Sequence, residues 1–242
     1  MSRVLAVLAV LVGCQAANAV DDPQPTPPSL RFEHDMIVRF HMHENFDLLR
    51  AIEKLLVRGR LEEAREFARA IADAPDEPGL GPWAVQATVV RERAAALANA
   101  PTVDDACRRE AWLAESCASC HAATNAAPEF RPPGRMPADQ PTIEARMARH
   151  LWATDRLWEG LVGGADDSWK QGLVGLAASP LQAPQISGER VGLARQLQRL
   201  ADQARARRAT DTAIDRARAY GEILVTCAGC HATASAARIG TR

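Results

Sequence analysis

The pentapeptide Cys-x-x-Cys-His occurs twice in this chain, about 110 residues apart. On a helix, the first cysteine and the histidine of each copy lie one turn apart and share a face. This spacing is typical of covalent haem attachment, in which both thiols bond the porphyrin and the adjacent imidazole coordinates its iron. The sequence therefore predicts two haem c groups. We expect Cys117, Cys120, Cys227 and Cys230 to attach them, and His121 and His231 to be the proximal iron ligands.

Two other kinds of site use the same cysteine spacing. A thioredoxin-type redox pair is normally part of a βαβ unit, and no alternating β-branched run occurs in this sequence. A zinc site does not require a histidine directly after the second cysteine in both copies. Haem attachment is therefore the favoured interpretation of both motifs.

The composition predicts an all-α fold without strands. Ala, Leu, Arg and Glu dominate, and only 5% of the residues are aromatic. The formal net charge is −1, and the charged residues are dispersed rather than gathered into a basic stripe. We therefore expect no nucleic-acid partner.

The N-terminal residues predict export. Arg3 precedes an apolar run from Val4 to Val12 that is too short to span a bilayer, as in a signal peptide covering residues 1–13. Leu-Val-Gly before Cys14 resembles a lipobox, which would make Cys14 the lipidated first residue of a periplasmic lipoprotein. Residues 14–29, rich in Pro, would form the tether. The alternative is cleavage after Ala19, giving a soluble periplasmic protein.

The pattern of the remaining residues predicts two copies of one helical unit. We predict four helical segments in residues 30–127, a Pro-rich linker at 128–141, and four more segments in residues 142–242. The predicted breaks are at Gly59, 75–82 and Pro101 in the first half, and at Gly163-Gly164, 179–187 and near Thr210 in the second. In both halves the last segment carries the attachment motif and begins with a Thr-x-x-Asp pair that can cap a helix. The architecture expected is two tandem four-helix bundles, each with its own core.

With the motif on the last helix, and with Met42 and Phe46 on a first helix that leads into a glycine turn, each half resembles the class II cytochromes c, the cytochrome c′ type of bundle. The resemblance implies a distal iron ligand that is either a methionine of the first helix or absent. Met42 and Met147 occupy the same position of the repeat and become the leading distal ligands. Residues 232–242 contain neither Met nor His, which agrees with an upstream ligand for the second haem.

The predicted helix faces fit this assignment. Met42, Phe46, Leu49 and Leu56 would form one inward stripe, and Met147, Leu151, Trp158 and Val162 its counterpart. Both methionines could instead be ordinary core residues. His41, His43 and His150 leave bis-histidine ligation as an alternative for either haem, which would lower the reduction potential.

These features favour an electron carrier that works with redox partner proteins, rather than an enzyme. The alternative is a haem-based gas-binding or sensor protein with an open distal site. A small peroxidase is disfavoured because no distal acid and base pair can be named. Cys107, which neither motif uses, is expected to be a small buried hydrophobic residue.

Overall fold

The computed structural model describes residues 28–75, 83–126, 128–181, 186–207 and 212–239. These residues contain helices and no strand, so the predicted all-α class is confirmed. Cys14 and the predicted signal peptide lie outside the described residues. The helices are α1 (Pro28–Val57), α2 (Leu61–Ala72), α3 (Ala84–Ala98), α4 (Val103–Thr124), α5 (Ile143–Val162), α6 (Asp166–Ala177), α7 (Glu189–Arg207) and α8 (Ala213–Ile239).

The predicted helix breaks at Gly59, Pro101 and Gly163-Gly164 fall between these helices, and the break near Thr210 lies outside the described residues. Gly59 follows α1 with φ 73°, and Gly164 follows α5 with φ 65°. Only glycine adopts this left-handed conformation without steric cost, so these two residues end their helices at equivalent points of the repeat. Residues 128–142, between α4 and α5, form no helix.

Matching threonines cap the two helices that carry the Cys-x-x-Cys-His motifs. Thr102 Oγ1 accepts a hydrogen bond from the Asp105 backbone N–H at 3.1 Å. Thr212 Oγ1 accepts one from the Asp215 backbone N–H at 3.2 Å, and the Asp215 carboxylate accepts from the Thr212 N–H in return. The capping predicted from the two Thr-x-x-Asp pairs is confirmed, and it fixes where α4 and α8 begin.

Helices that follow each other within a half pack side by side, from α1 to α4 and from α5 to α8. The first and last helix of each half also contact each other. The halves meet mainly where α4 packs along α8, and Arg108 forms an ion pair there with Glu222 at 2.6 Å. A Cβ added to Gly221 would lie 3.1 Å from the Arg108 Cα, so the absence of a side chain permits this close approach.

Most buried apolar residues of the two halves form one contiguous cluster, the main core. It includes Leu49 and Ile52 of α1, Leu113 of α4, Leu157 of α5 and Ile223 of α8. We expected a separate core in each half, and the close approach of α4 and α8 is the reason for the difference. None of the helices in the described part of the chain has the length and hydropathy needed to cross a membrane.

The repeat is visible in the burial of α4 and α8. From residue 102 to 118 and from 212 to 228, equivalent residues are exposed, half-buried or buried alike. The sequence identities differ at many of these positions. The two helices therefore present the same faces to the protein interior, and their attachment motifs occupy equivalent places.

Candidate cofactor site

Both attachment motifs lie wholly within helices, as the spacing predicts. Cys117, Cys120 and His121 are on the last two turns of α4, and the equivalent residues of the second motif are on α8. Cys117 and Cys227 are half-buried and pack against the main core. The first cysteine of each motif therefore contacts the main core.

A cavity of about 590 Å³ lies beside the first motif. This volume is within the range of roughly 300 to 1,000 Å³ that small-molecule and cofactor sites span. Met42 of α1 and Cys120 of α4 both line it, so the structure brings the predicted distal methionine and an attachment cysteine to one cavity. Most of the other lining residues on α1, α2 and α3 are apolar, and they include Val38, Leu48, Phe67, Ala70, Ile71, Ala87 and Val90.

The ring of His121 is oriented by a backbone group of the second half. Its Nδ1 lies 3.0 Å from the carbonyl oxygen of Val162, the last residue of α5. A carbonyl only accepts, so Nδ1 donates to it, and Nε2 is the nitrogen left for a metal ion. Histidines that bind a metal through one nitrogen commonly donate from the other in this way.

The thiols of the two motifs have raised pKa values. Burial raises the pKa of Cys117 and of Cys227 to about 12. Burial also raises the pKa values of Cys120 and Cys230. A reactive Cys-x-x-Cys redox pair needs the opposite shift, because its attacking sulfur must be a thiolate. These thiols are neutral at physiological pH, which disfavours the redox interpretation.

The second motif has a different apolar environment. Met147 packs against a small separate cluster formed by Leu181, Ile186 and Ala194. This cluster lies at the start of α7, the helix that packs along α8, and the charge of Arg190 there acts on the Cys230 thiol. The predicted ligand and the predicted attachment residue are thus both beside the start of α7.

The histidines named as alternative iron ligands form other contacts or are exposed. His41 lines the first cavity and lies 3.3 Å from a carboxylate oxygen of Glu44. His150 Nε2 lies 2.7 Å from the Ser179 carbonyl oxygen and donates to it. Burial lowers the pKa of His150, so its ring is neutral at physiological pH. His43 is exposed.

Two members of the predicted inward stripes, Met42 and Leu151, are exposed instead, and Met42 is 38% exposed. Leu151 is 59% exposed, whereas Trp158 and Val162 of the same stripe are buried. α5 packs closely on α6 through another face, where a Cβ on Gly172 would lie 2.7 Å from the Ala153 carbonyl oxygen. Ala153 is buried on that face, and Leu151, on the opposite side of α5, faces solvent. Cys107 is fully buried in the core, as expected.

Sequence reasoning missed a set of buried polar residues between the two motifs. Glu53 of α1, Glu110 of α4 and Tyr220 of α8 are all buried in the middle of the molecule, and Arg50 of α1 forms an ion pair with Glu53. The sequence did contain a sign that two of these residues are buried. Glu110 and Tyr220 each lie seven residues before the first cysteine of their motif, and so on the same apolar helix face as that cysteine.

No protein-family model, curated protein or solved structure matches this chain. Within the described residues, no group of three or more His, Cys, Asp or Glu side chains is arranged to hold a metal ion. The candidate site therefore rests on the two motifs, the cavity and the side chains around them.

Proposed function

We propose that this chain is a di-haem c-type cytochrome that carries electrons between protein partners outside the cytoplasm. The observation that carries the proposal is the pair of complete Cys-x-x-Cys-His motifs at equivalent places on α4 and α8. The proposal includes two tandem four-helix bundles of the class II cytochrome c type, with one haem in each.

The residues around the first motif fit a haem. Cys120 and Met42 line one cofactor-sized cavity with mainly apolar walls. His121 donates from Nδ1, which leaves Nε2 as the nitrogen that would coordinate iron. The raised pKa values of Cys117 and Cys120 disfavour metal-thiolate and disulfide-exchange chemistry, the two other uses of this cysteine spacing.

The protein's part in the reaction is to hold the cofactor and set its potential. When bound, the haem supplies an iron that cycles between the ferric and ferrous states. Met42 and Met147 are proposed as the distal ligands, and a thioether sulfur there would favour ferrous iron and raise the potential. The apolar walls limit the access of water to the cofactor.

The proposal extends to the location of the protein. Lipidation at Cys14 would anchor it to a periplasmic membrane surface, and cleavage after Ala19 would release it as a soluble protein. Labelling with a clickable fatty acid distinguishes the two forms. Either outcome is compatible with electron transfer to a protein partner.

The first prediction is that the purified protein contains two covalent haems per chain. A pyridine haemochrome assay with intact-mass analysis should give a stoichiometry of two on protein made with a haem-ligation system. Replacing both Cys117 and Cys120 by Ala should reduce it to one. A native stoichiometry of one, or haem that acidified organic solvent extracts, would refute the proposal.

The second prediction concerns the distal ligands. Native ferrous protein should bind carbon monoxide slowly, and Met42→Ala and Met147→Ala should each open one haem to rapid binding. Met36→Ala and Leu151→Ala are matched controls because both side chains are largely exposed on the same two helices. Stopped-flow absorbance measures the rates.

A gas-binding function is the second candidate. Met42 is 38% exposed, so surrounding side chains do not hold its thioether firmly in place. If native ferrous protein binds carbon monoxide rapidly at both haems, and the two methionine variants bind no faster, the carrier proposal is wrong and the gas-binding function replaces it.

A further inference from the structure

A buried polar cluster lies between the two attachment helices. We call Glu53, Glu110 and Tyr220 the central acid cluster. The Tyr220 hydroxyl donates to Glu53 Oε1 at 2.8 Å, and Arg50 forms ion pairs with Glu53 and with Asp155. Glu110 is completely buried, and neither of its carboxyl oxygens has a hydrogen-bond partner among the described residues.

The cluster is close to both attachment motifs. Glu110 precedes Cys117 by two helical turns, a rise of roughly 10 Å, and lies on the same face of α4. Tyr220 holds the equivalent position before Cys227 on α8. The charge of Glu110 acts on the Cys117 thiol, and the charge of Glu53 acts on the Cys227 thiol. The cluster therefore couples electrostatically to both sites.

Glu110 differs from the other ionisable groups of this region. Burial, followed by the negative charge of Glu53, raises the pKa of Glu110 well above its usual range. The pKa of Glu53 is also raised by burial, but Arg50 and Tyr220 stabilise its ionised form. Tyr220 and the Cys107 thiol stay neutral because burial raises their pKa values, and Cys117 and Cys227 have no thiol to titrate once a haem is attached. Arg50 stays cationic, since its pKa is raised by its acidic neighbours.

We propose that Glu110 takes up a proton when this protein accepts an electron. The inference rests on the proposed di-haem function. One electron from a donor protein converts a ferric iron to ferrous, and one proton from water binds the Glu110 carboxylate and makes it a carboxylic acid. The interior then gains no net charge. When an acceptor protein removes the electron, the proton returns to water.

The physical basis is the low dielectric constant of the interior. Charges in a protein interior interact far more strongly than in bulk water, and salt screens buried pairs weakly. The added electron makes the ionised form of Glu110 less favourable, so reduction raises its proton affinity. By linkage, protonation of Glu110 favours reduction by the same amount.

The test measures proton uptake on reduction. Haem stoichiometry is determined first on each sample, because its failure would refute the di-haem function separately. Native protein in weak buffer with a pH-indicator dye should take up more protons on reduction than Glu110→Gln, by up to one per molecule, in a pH series that begins above the ordinary carboxyl pKa of 4.5. Its reduction potential should fall with rising pH more steeply than that of the variant.

The matched control is Glu62→Gln, which makes the same change on α2 at a carboxylate that is 74% exposed. It should leave proton uptake at the native value. Equal uptake by native protein and Glu110→Gln would overturn the proposal. If the Glu110 variant does not fold, reduced-minus-oxidised infrared spectra of native protein provide the test. A carboxylic acid C=O band should appear on reduction and shift in D₂O, and its absence would overturn the proposal.

Discussion

At the scale of single residues, the most unusual feature is the unpartnered carboxyl of Glu110 in an apolar core. Leaving a buried polar group unsatisfied costs about 1 to 3 kcal/mol, and more if it is charged. Burial raises its pKa, so the folded state binds the proton more tightly than the unfolded state does. Stability contributed by this group is therefore greatest at low pH and falls as pH rises above the ordinary value near 4.5.

The prediction at this scale is that Glu110→Gln becomes increasingly stabilising, relative to native protein, as pH rises from 4.5. The gain should reach about 1 kcal/mol or more, because Gln has the shape of the neutral acid and no charge to bury. Denaturant unfolding at a series of pH values measures it. A difference that is constant with pH would show that Glu110 has the same proton affinity in both states.

At the scale of elements, the contact between α4 and α8 controls how the halves meet. The contact depends on Gly221, which lies against the backbone of Arg108. The capped starts of both helices and their small facing side chains, such as Ala111, allow the helices to approach closely. The position of each attachment motif follows from this contact.

We therefore expect Gly221→Leu to destabilise the protein by about 1 to 3 kcal/mol, as overpacked cores do. Gly192→Leu is the control, because a Cβ at Gly192 meets nothing within 4 Å and leucine favours helix there. Thermal or denaturant unfolding followed by circular dichroism gives both values. Equal stability of the two variants would mean that the α4 and α8 backbones can separate at little cost.

At the scale of the whole molecule, the main core joins the two halves. Leu49 and Ile52 of the first half and Leu157 of the second belong to it. Phe46 of α1 contacts Trp158 of α5, with ring centroids 6.3 Å apart. A shared core makes the halves unfold together rather than independently.

The corresponding prediction uses the variant in which Cys117 and Cys120 are replaced by Ala. Loss of the first haem should lower the unfolding midpoint of the second half as well. Far-UV circular dichroism and the absorbance of the remaining haem should give the same midpoint, below that of native protein. A haem signal that keeps the native midpoint would indicate two independent domains.

The sequence by itself determined the all-α class, the helix breaks and the caps of α4 and α8. These depend on local properties: glycine at positive φ, proline, and threonine side chains that bond to a backbone N–H three residues on. It also identified Cys107 as buried, because an apolar helix face is visible in the residue order. The haem attachment, the distal methionines and the export signal remain predictions made from the sequence.

Only the tertiary structure decided how the elements meet. Leu151 faces solvent while Ala153, on the opposite side of α5, packs on α6, and this pairing of helices is a tertiary contact. The Val162 carbonyl that orients His121 comes from the other half of the chain. The burial of Glu110 beside Glu53 and Tyr220 requires α1, α4 and α8 together, and no local pattern predicts which helices from the two halves will meet.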